Sequence, residues 1–195
     1  MKNVFKKSLL ASGVALLLTG CGSTTEAESQ PSSLEAREDE LLSACGEPEA
    51  TELLEVAEHA CFHGEYGPFE AVTAAALGST PFVDVSAPHT AYNITLPARG
   101  YGYGYGGAVN FIPEESGEYA FFLSRHRGLR IFNGNTEVAR ECRLQVPEET
   151  CGSLRTAVVA DLEANVEYRL EFKAIFPQNS QFTLVVEEAA HHHEE

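Results

Sequence analysis

From residue 69 onward the chain is written in short alternating runs, and that alternation limits its possible folds more than any other feature. In Glu167-Tyr168-Arg169-Leu170-Glu171-Phe172 the even positions are apolar and the odd ones charged, the period of two required by a strand with one buried face. Further runs rich in β-branched and aromatic residues fall at Phe69–Ala75, Pro81–Val85, Tyr92–Leu96, Ala108–Ile112, Glu118–Leu123, Leu129–Phe132, Leu154–Asp161 and Gln181–Val186. Ser116-Gly117, Asn133-Gly134-Asn135 and Pro177-Gln178-Asn179 supply turns between them. No helical period intervenes, which disfavours a parallel α/β sheet. The pattern predicts a mainly β fold, an antiparallel β-sandwich over residues 65–188.

One or two short α-helices are expected ahead of the sandwich, within residues 34–64. Ser33 can cap the first, with Leu34, Leu41, Leu42 and Cys45 on one stripe and Gly46 as its stop. Pro48 opens the second, which buries Leu53, Leu54, Val56, Ala57, Ala60 and Cys61 and ends at Gly64. This helix constrains the cysteines. From Pro48 to Cys61 it runs roughly 20 Å, whereas a disulfide needs Cα atoms about 4.4–6.8 Å apart. Cys45 and Cys61 therefore do not pair with each other. Either they cross to Cys142 and Cys151, in one of two pairings, or Cys142–Cys151 forms a local staple and leaves two thiols free. No CxxC occurs, so thioredoxin-type redox chemistry has no support.

The N-terminus carries an address. Lys2, Lys6 and Lys7 precede an apolar core from Leu9 to Leu18, right for a signal peptide over residues 1–20 and too short for a permanent membrane span. It closes in Leu18-Thr19-Gly20-Cys21, which resembles the lipobox of bacterial lipoproteins. The resemblance implies cleavage before Cys21, lipidation of Cys21 and anchorage to a membrane of the cell envelope. Gly22 in second place resembles outer-membrane sorting in Gram-negative bacteria, with the protein facing the periplasm or the cell surface. Residues 21–33 then read as a polar, lipidated flexible tether. Cys21 set aside, the four remaining cysteines suit an oxidising compartment. Ser116-Gly117-Glu118-Tyr119-Ala120-Phe121-Phe122-Leu123 and Asp161-Leu162-Glu163-Ala164-Asn165-Val166-Glu167-Tyr168-Arg169-Leu170 resemble strand entries of jelly-roll sandwiches in secreted bacterial proteins. The second departs at Asn165, where those domains carry Gly. Asn also takes left-handed turn positions.

The leader holds three of the 13 basic residues and none of the 29 acidic ones, so from Cys21 onward 10 basic residues stand against 29 acidic, a charge of −19. That field repels phosphates and excludes nucleic acid as a natural partner. Metal cations or a basic protein face are the attractions left.

The densest chemistry lies in His59-Ala60-Cys61-Phe62-His63. His59 and His63, four apart, project from one face of a helix and can grip one ion. His89, His126, Glu65 or Glu58 are candidates to complete the set. Ala60 stands where HExxH needs glutamate, so zinc-peptidase chemistry is not supported. A tail over residues 189–195 ends in His191-His192-His193-Glu194-Glu195, a loose chelator for zinc, nickel or Cu(II). The only methionine is Met1, which disfavours a thioether-based Cu(I) carrier. Tyr101, Tyr103 and Tyr105 alternate with glycine in residues 99–107, a mobile aromatic loop suited to a sugar face or a protein. GxSxG, a P-loop and a dinucleotide fingerprint are absent.

Ala60-Cys61-Phe62-His63 with Gly67-Pro68-Phe69, Pro88-His89-Thr90-Ala91-Tyr92, and Glu187-Glu188 with the terminal His193-Glu194-Glu195 resemble a group of bacterial lipoproteins with a Cys-x-His element and a His/Glu-rich end. The resemblance brings no activity and singles out His63, His89 and the tail. The expectation is a non-enzymatic envelope lipoprotein that binds a divalent transition metal, zinc foremost. The alternative is a protein- or glycan-binding sandwich using the tyrosine loop.

Overall fold

The computed structural model describes residues 45–189 apart from 101, 126 and 127, and for residues 47–49 the backbone alone. The expected first helix falls almost wholly outside the described residues, as do the signal peptide and tether.

Among the described residues, eleven strands form two sheets. In chain order they are β1 (Phe69–Thr73), β2 (Ala75–Ala76), β3 (Ala91–Thr95), β4 (Tyr105–Phe111), β5 (Gly117–Leu123), β6 (Leu129–Asn133), β7 (Thr136–Glu137), β8 (Cys142–Gln145), β9 (Thr156–Leu162), β10 (Tyr168–Ala174) and β11 (Gln181–Glu188). One sheet runs β1-β3-β11-β5-β9-β8 and the other β2-β4-β10-β6-β7. This is the mainly β sandwich that the alternation predicts. Between the sheets lie Ile94, Val109, Phe111, Phe121, Leu123, Ile131, Leu170, Phe172 and Leu184. Tyr168, Leu170 and Phe172 point inward, while Arg169 and Glu171 are partly exposed on the outer face. Asn165 does take the left-handed conformation, at φ 59°.

The six-stranded sheet is covered on its other side too. Ala120 and Phe122 of β5, Val159 of β9 and Val185 of β11 face away from the sandwich core and meet Leu53, Ala57 and Ala60 of a helix, α1 (Glu47–Tyr66). A strand buried on both faces needs no polar alternation. That is why Tyr119–Leu123 is continuously apolar while β10 alternates.

Three features depart from the sequence reading. The run Phe69–Ala75 divides at Ala74 between the two sheets, and β1 pairs with β3 in parallel. The division brings Ala74 against Gly107, where an added Cβ would lie 2.7 Å from that of Ala74, so only glycine fits. The expected strand over Pro81–Val85 reduces to one bridge, Asp84 with Asn110. Gly64 does not stop α1. It lies against Ser153 and Leu154, where a Cβ would meet Ser153 Oγ at 3.1 Å, so its smallness serves packing. The stop is Gly67, at φ 78°, whose N–H donates to the His63 carbonyl at 2.9 Å in the left-handed C-cap pattern.

Two disulfides clamp α1 to the sandwich. Cys45 bonds Cys142, with Cα atoms 4.8 Å apart, and Cys61 bonds Cys151, at 5.6 Å. One of the two crossed arrangements is thus realised and the local staple is not. The bonds span 97 and 90 residues. Closing a loop of that order removes about 4–5 kcal/mol of unfolded-chain entropy in the simplest account. The Cys61→Ser/Cys151→Ser variant is expected to lose about 2–5 kcal/mol in urea unfolding relative to the oxidised parent. A change under about 0.5 kcal/mol would show that the apolar contacts alone hold the helix.

Candidate functional site

On α1 the pair His59 and His63 turns toward β11 and the segment preceding β3. The last turn of the helix, prolonged past Gly64, brings the Gly67 carbonyl 3.3 Å from His63 Nδ1. A carbonyl only accepts, so Nδ1 carries the proton and Nε2 offers its lone pair. His63 is only 9% exposed. Its Nε2 stands 3.2 Å from His59 Nε2.

His89 arrives from the other side. It holds φ at 55°, in the left-handed region where non-glycine residues are uncommon. Its loop is tied down by two hydroxyls. Tyr92 Oη accepts from Ala87 N–H at 2.9 Å, and Ser86 Oγ from Ile112 N–H at 2.6 Å. The His89 ring centre lies 5.0 Å from that of His63 and 5.2 Å from that of His59, while His59 and His63 are 4.8 Å apart. Three imidazoles form a nearly equilateral triangle.

Glu187, on the helix-facing side of β11, completes the group. Its Oε2 lies 3.4 Å from His59 Nδ1 and 4.0 Å from His89 Nδ1, and the residue is 9% exposed. One ligand atom from each of His59, His63, His89 and Glu187 falls within 4.8 Å of the others, a cluster able to hold a metal ion. An ionised carboxylate accepts only, so His59 Nδ1 is the donor and its Nε2 the acceptor. Two lone pairs then face each other at 3.2 Å between His59 and His63. That arrangement suits a proton or a metal ion shared between the two nitrogens.

The other expected ligands fare differently. Glu65 turns to the opposite flank of α1, where Cys61 Sγ is 3.6 Å from its Oε1. Cys61 and Cys151 sit close to it, but their sulfurs are bonded to each other and offer no thiolate. Glu58 is exposed and outside the cluster. His126, the tail histidines His191, His192 and His193, Tyr101 and Cys21 lie outside the described residues. Tyr103 is 95% exposed, whereas Tyr105 begins β4 and packs against the core. Glu187 is the ligand candidate that the sequence reading missed. Its signal is faint: a carboxylate two residues after Val185, where the alternation of β11 calls for another apolar side chain.

A cleft of about 240 Å³ opens beside the cluster, with His59, His89 and Glu187 in its wall and Tyr119 farther along. Tyr119 Oη donates to the Glu115 carbonyl at 3.0 Å and lies 3.3 Å from Glu188 Oε1. Burial, with the nearby carboxylates adding, raises its hydroxyl to about 12. No protein-family model matches this chain, and no curated protein matches it either.

Because the folded-state value lies above the ordinary 10.0 of the unfolded chain, the contribution of Tyr119 is complete below about pH 10 and is lost as pH rises through about 12. Tyr119→Phe is expected to flatten the fall in stability over that window, read by urea unfolding at stepped pH. An unchanged slope would refute it.

Proposed function

We propose that this is a non-enzymatic envelope lipoprotein that binds a divalent transition metal, zinc foremost, through His59, His63 and His89. The observation that carries the reading is the triangle of rings. Two nitrogens on one tetrahedral zinc, each at about 2.0–2.1 Å, stand about 3.3 Å apart. The separation of His59 Nε2 and His63 Nε2 is 3.2 Å. With about 1.1 Å from nitrogen to ring centre, rings sharing such an ion stand about 5 Å apart, and the three distances here are 4.8, 5.2 and 5.0 Å. The Gly67 carbonyl behind His63 and the Glu187 carboxylate behind His59 are partners of the kind that fix tautomer and ring direction at zinc sites.

Imidazole donors with a carboxylate beside them favour zinc, with nickel, cobalt and Cu(II) as competitors. The acidic surface raises the local concentration of cations. His191, His192 and His193 act as a loose collector at the chain's end, and the lipid on Cys21 holds the protein to the envelope membrane.

Zinc titrated into the mature chain with the three tail histidines replaced by alanine is expected to bind submicromolar with one equivalent. His63→Ala and His89→Ala each weaken it at least a hundredfold, by calorimetry against a competing chelator. Heat that neither substitution alters would leave only nonspecific chelation.

A second reading makes loop 99–107 a contact for a protein or glycan. What favours it is an exposed apolar tip: Tyr103 is 95% exposed, with Ile175 at 72% and Phe176 at 56%. The tip is continuous because Gly104 abuts the backbone of Ala174 and Ile175.

A further inference from the structure

The geometry points to an open fourth coordination position on the bound metal, facing the cleft and filled by a small metal-ligating anion with a short apolar body. This rests on the metal reading and adds to it a ligand class.

The position follows from counting donors. His63 has Nδ1 committed to the Gly67 carbonyl and gives Nε2. His59 Nε2 lies one tetrahedral edge away, which leaves Nδ1 to donate to Glu187 Oε2. The same carboxylate oxygen lies 4.0 Å from His89 Nδ1, within charge reach. Glu187 then serves His59 from behind as a positioning residue, with His89 within charge reach, instead of entering the inner sphere. Three imidazoles complete only three corners of a tetrahedron, and a site left so keeps a place for water or an exogenous donor.

The cleft supplies the rest. Its wall shares His59, His89 and Glu187 with the cluster, whereas His63 lies behind and is 9% exposed. Phe111, Ile112 and Val186 give it an apolar lining, and at about 240 Å³ it exceeds the roughly 150 Å³ of an apolar cavity known to take benzene. Charge selects the ligand's sign at each end. Neutral imidazoles leave the ion positive, Glu187 offsets only part of it, and a monoanionic head is favoured there. Glu114 and Glu188 also border the cleft, so a second negative group on the ligand's body is disfavoured. A carboxylate, thiolate or hydroxamate head on a small apolar body fits. A phosphate ester or a dicarboxylate does not.

The test uses the mature chain with His191, His192 and His193 replaced by alanine and loaded with one equivalent of Co(II), whose visible bands report coordination. Acetohydroxamate and benzohydroxamate share a head and differ in body. Both are expected to shift the cobalt bands, with benzohydroxamate at least tenfold tighter. Ile112→Trp, which fills the cleft, abolishes that difference while leaving cobalt affinity intact. Ala87→Phe, at an exposed position on the cleft's wall, does the same should the first variant fold poorly. Glu187→Gln keeps an oxygen acceptor for His59, so the cobalt bands stay in place while metal affinity falls ten- to a hundredfold. Bands that ignore both probes, equal affinities for the two, or a changed spectrum in Glu187→Gln would overturn the open position and leave the metal reading standing. Failure of cobalt to bind at all would sink both.

Discussion

The docking of α1 on the outer face of the six-stranded sheet is the contact on which the rest of the molecule turns. A sheet in a two-layer sandwich normally leaves one face to water. Here Phe122, Val185 and Val159 are apolar on that face and must be covered. Leu53, Ala57 and Ala60 cover them, the alanines letting the helix come close, and burying a side chain the size of Phe122 is worth about 2–3 kcal/mol. One disulfide holds each region of the helix, Cys45 just before its start and Cys61 near its end. The apolar contact decides that the helix lies on this face. The packed surfaces set its rotation and register, and the bonds hold them.

Rotation and register are what a three-part site needs. His59 and His63 would share a helix face anywhere, but only a fixed helix holds them against β11 and the segment before β3. On the opposite flank Cys61 is bonded to Cys151, so the restraint and the candidate ligands alternate along one stretch: His59, Cys61, His63. The costs gather here as well. Glu187 places a carboxylate at 9% exposure beside two imidazoles, and His89 holds a left-handed backbone conformation. Burying a charge is unfavourable unless something of opposite sign or good hydrogen-bonding capacity meets it. The His59 imidazole, 3.4 Å from the carboxylate, has that capacity.

The parts of the fold that were legible are those governed by local periodicity. β10 reads directly from Tyr168, Leu170 and Phe172, because one side of it meets solvent. β7 and β8 went unread. Thr136-Glu137 is too short to show a period, and Cys142-Arg143-Leu144-Gln145 places only two buried residues on its pattern. Gly64 misled because a glycine admitted for close packing against Leu154 carries the same letter as one that ends a helix. The true stop, Gly67, lies three residues on, and that extra turn is what brings a carbonyl to His63.

Taken alone, the sequence determined that the chain would form a β-sandwich with a helix before it, that Cys45 and Cys61 could not bond to each other, and that His59 and His63 would share a face. Each follows from spacing along a few turns or strands, which the backbone's own geometry converts into direction. Only the tertiary structure decided which crossed cysteines pair, that His89 meets the helical histidines, and that Glu187 stands behind them. Those groups come from separate elements, and their meeting depends on how a helix settles on a sheet. That outcome is set by the complementary shape of two buried surfaces, not by the spacing of residues along the chain.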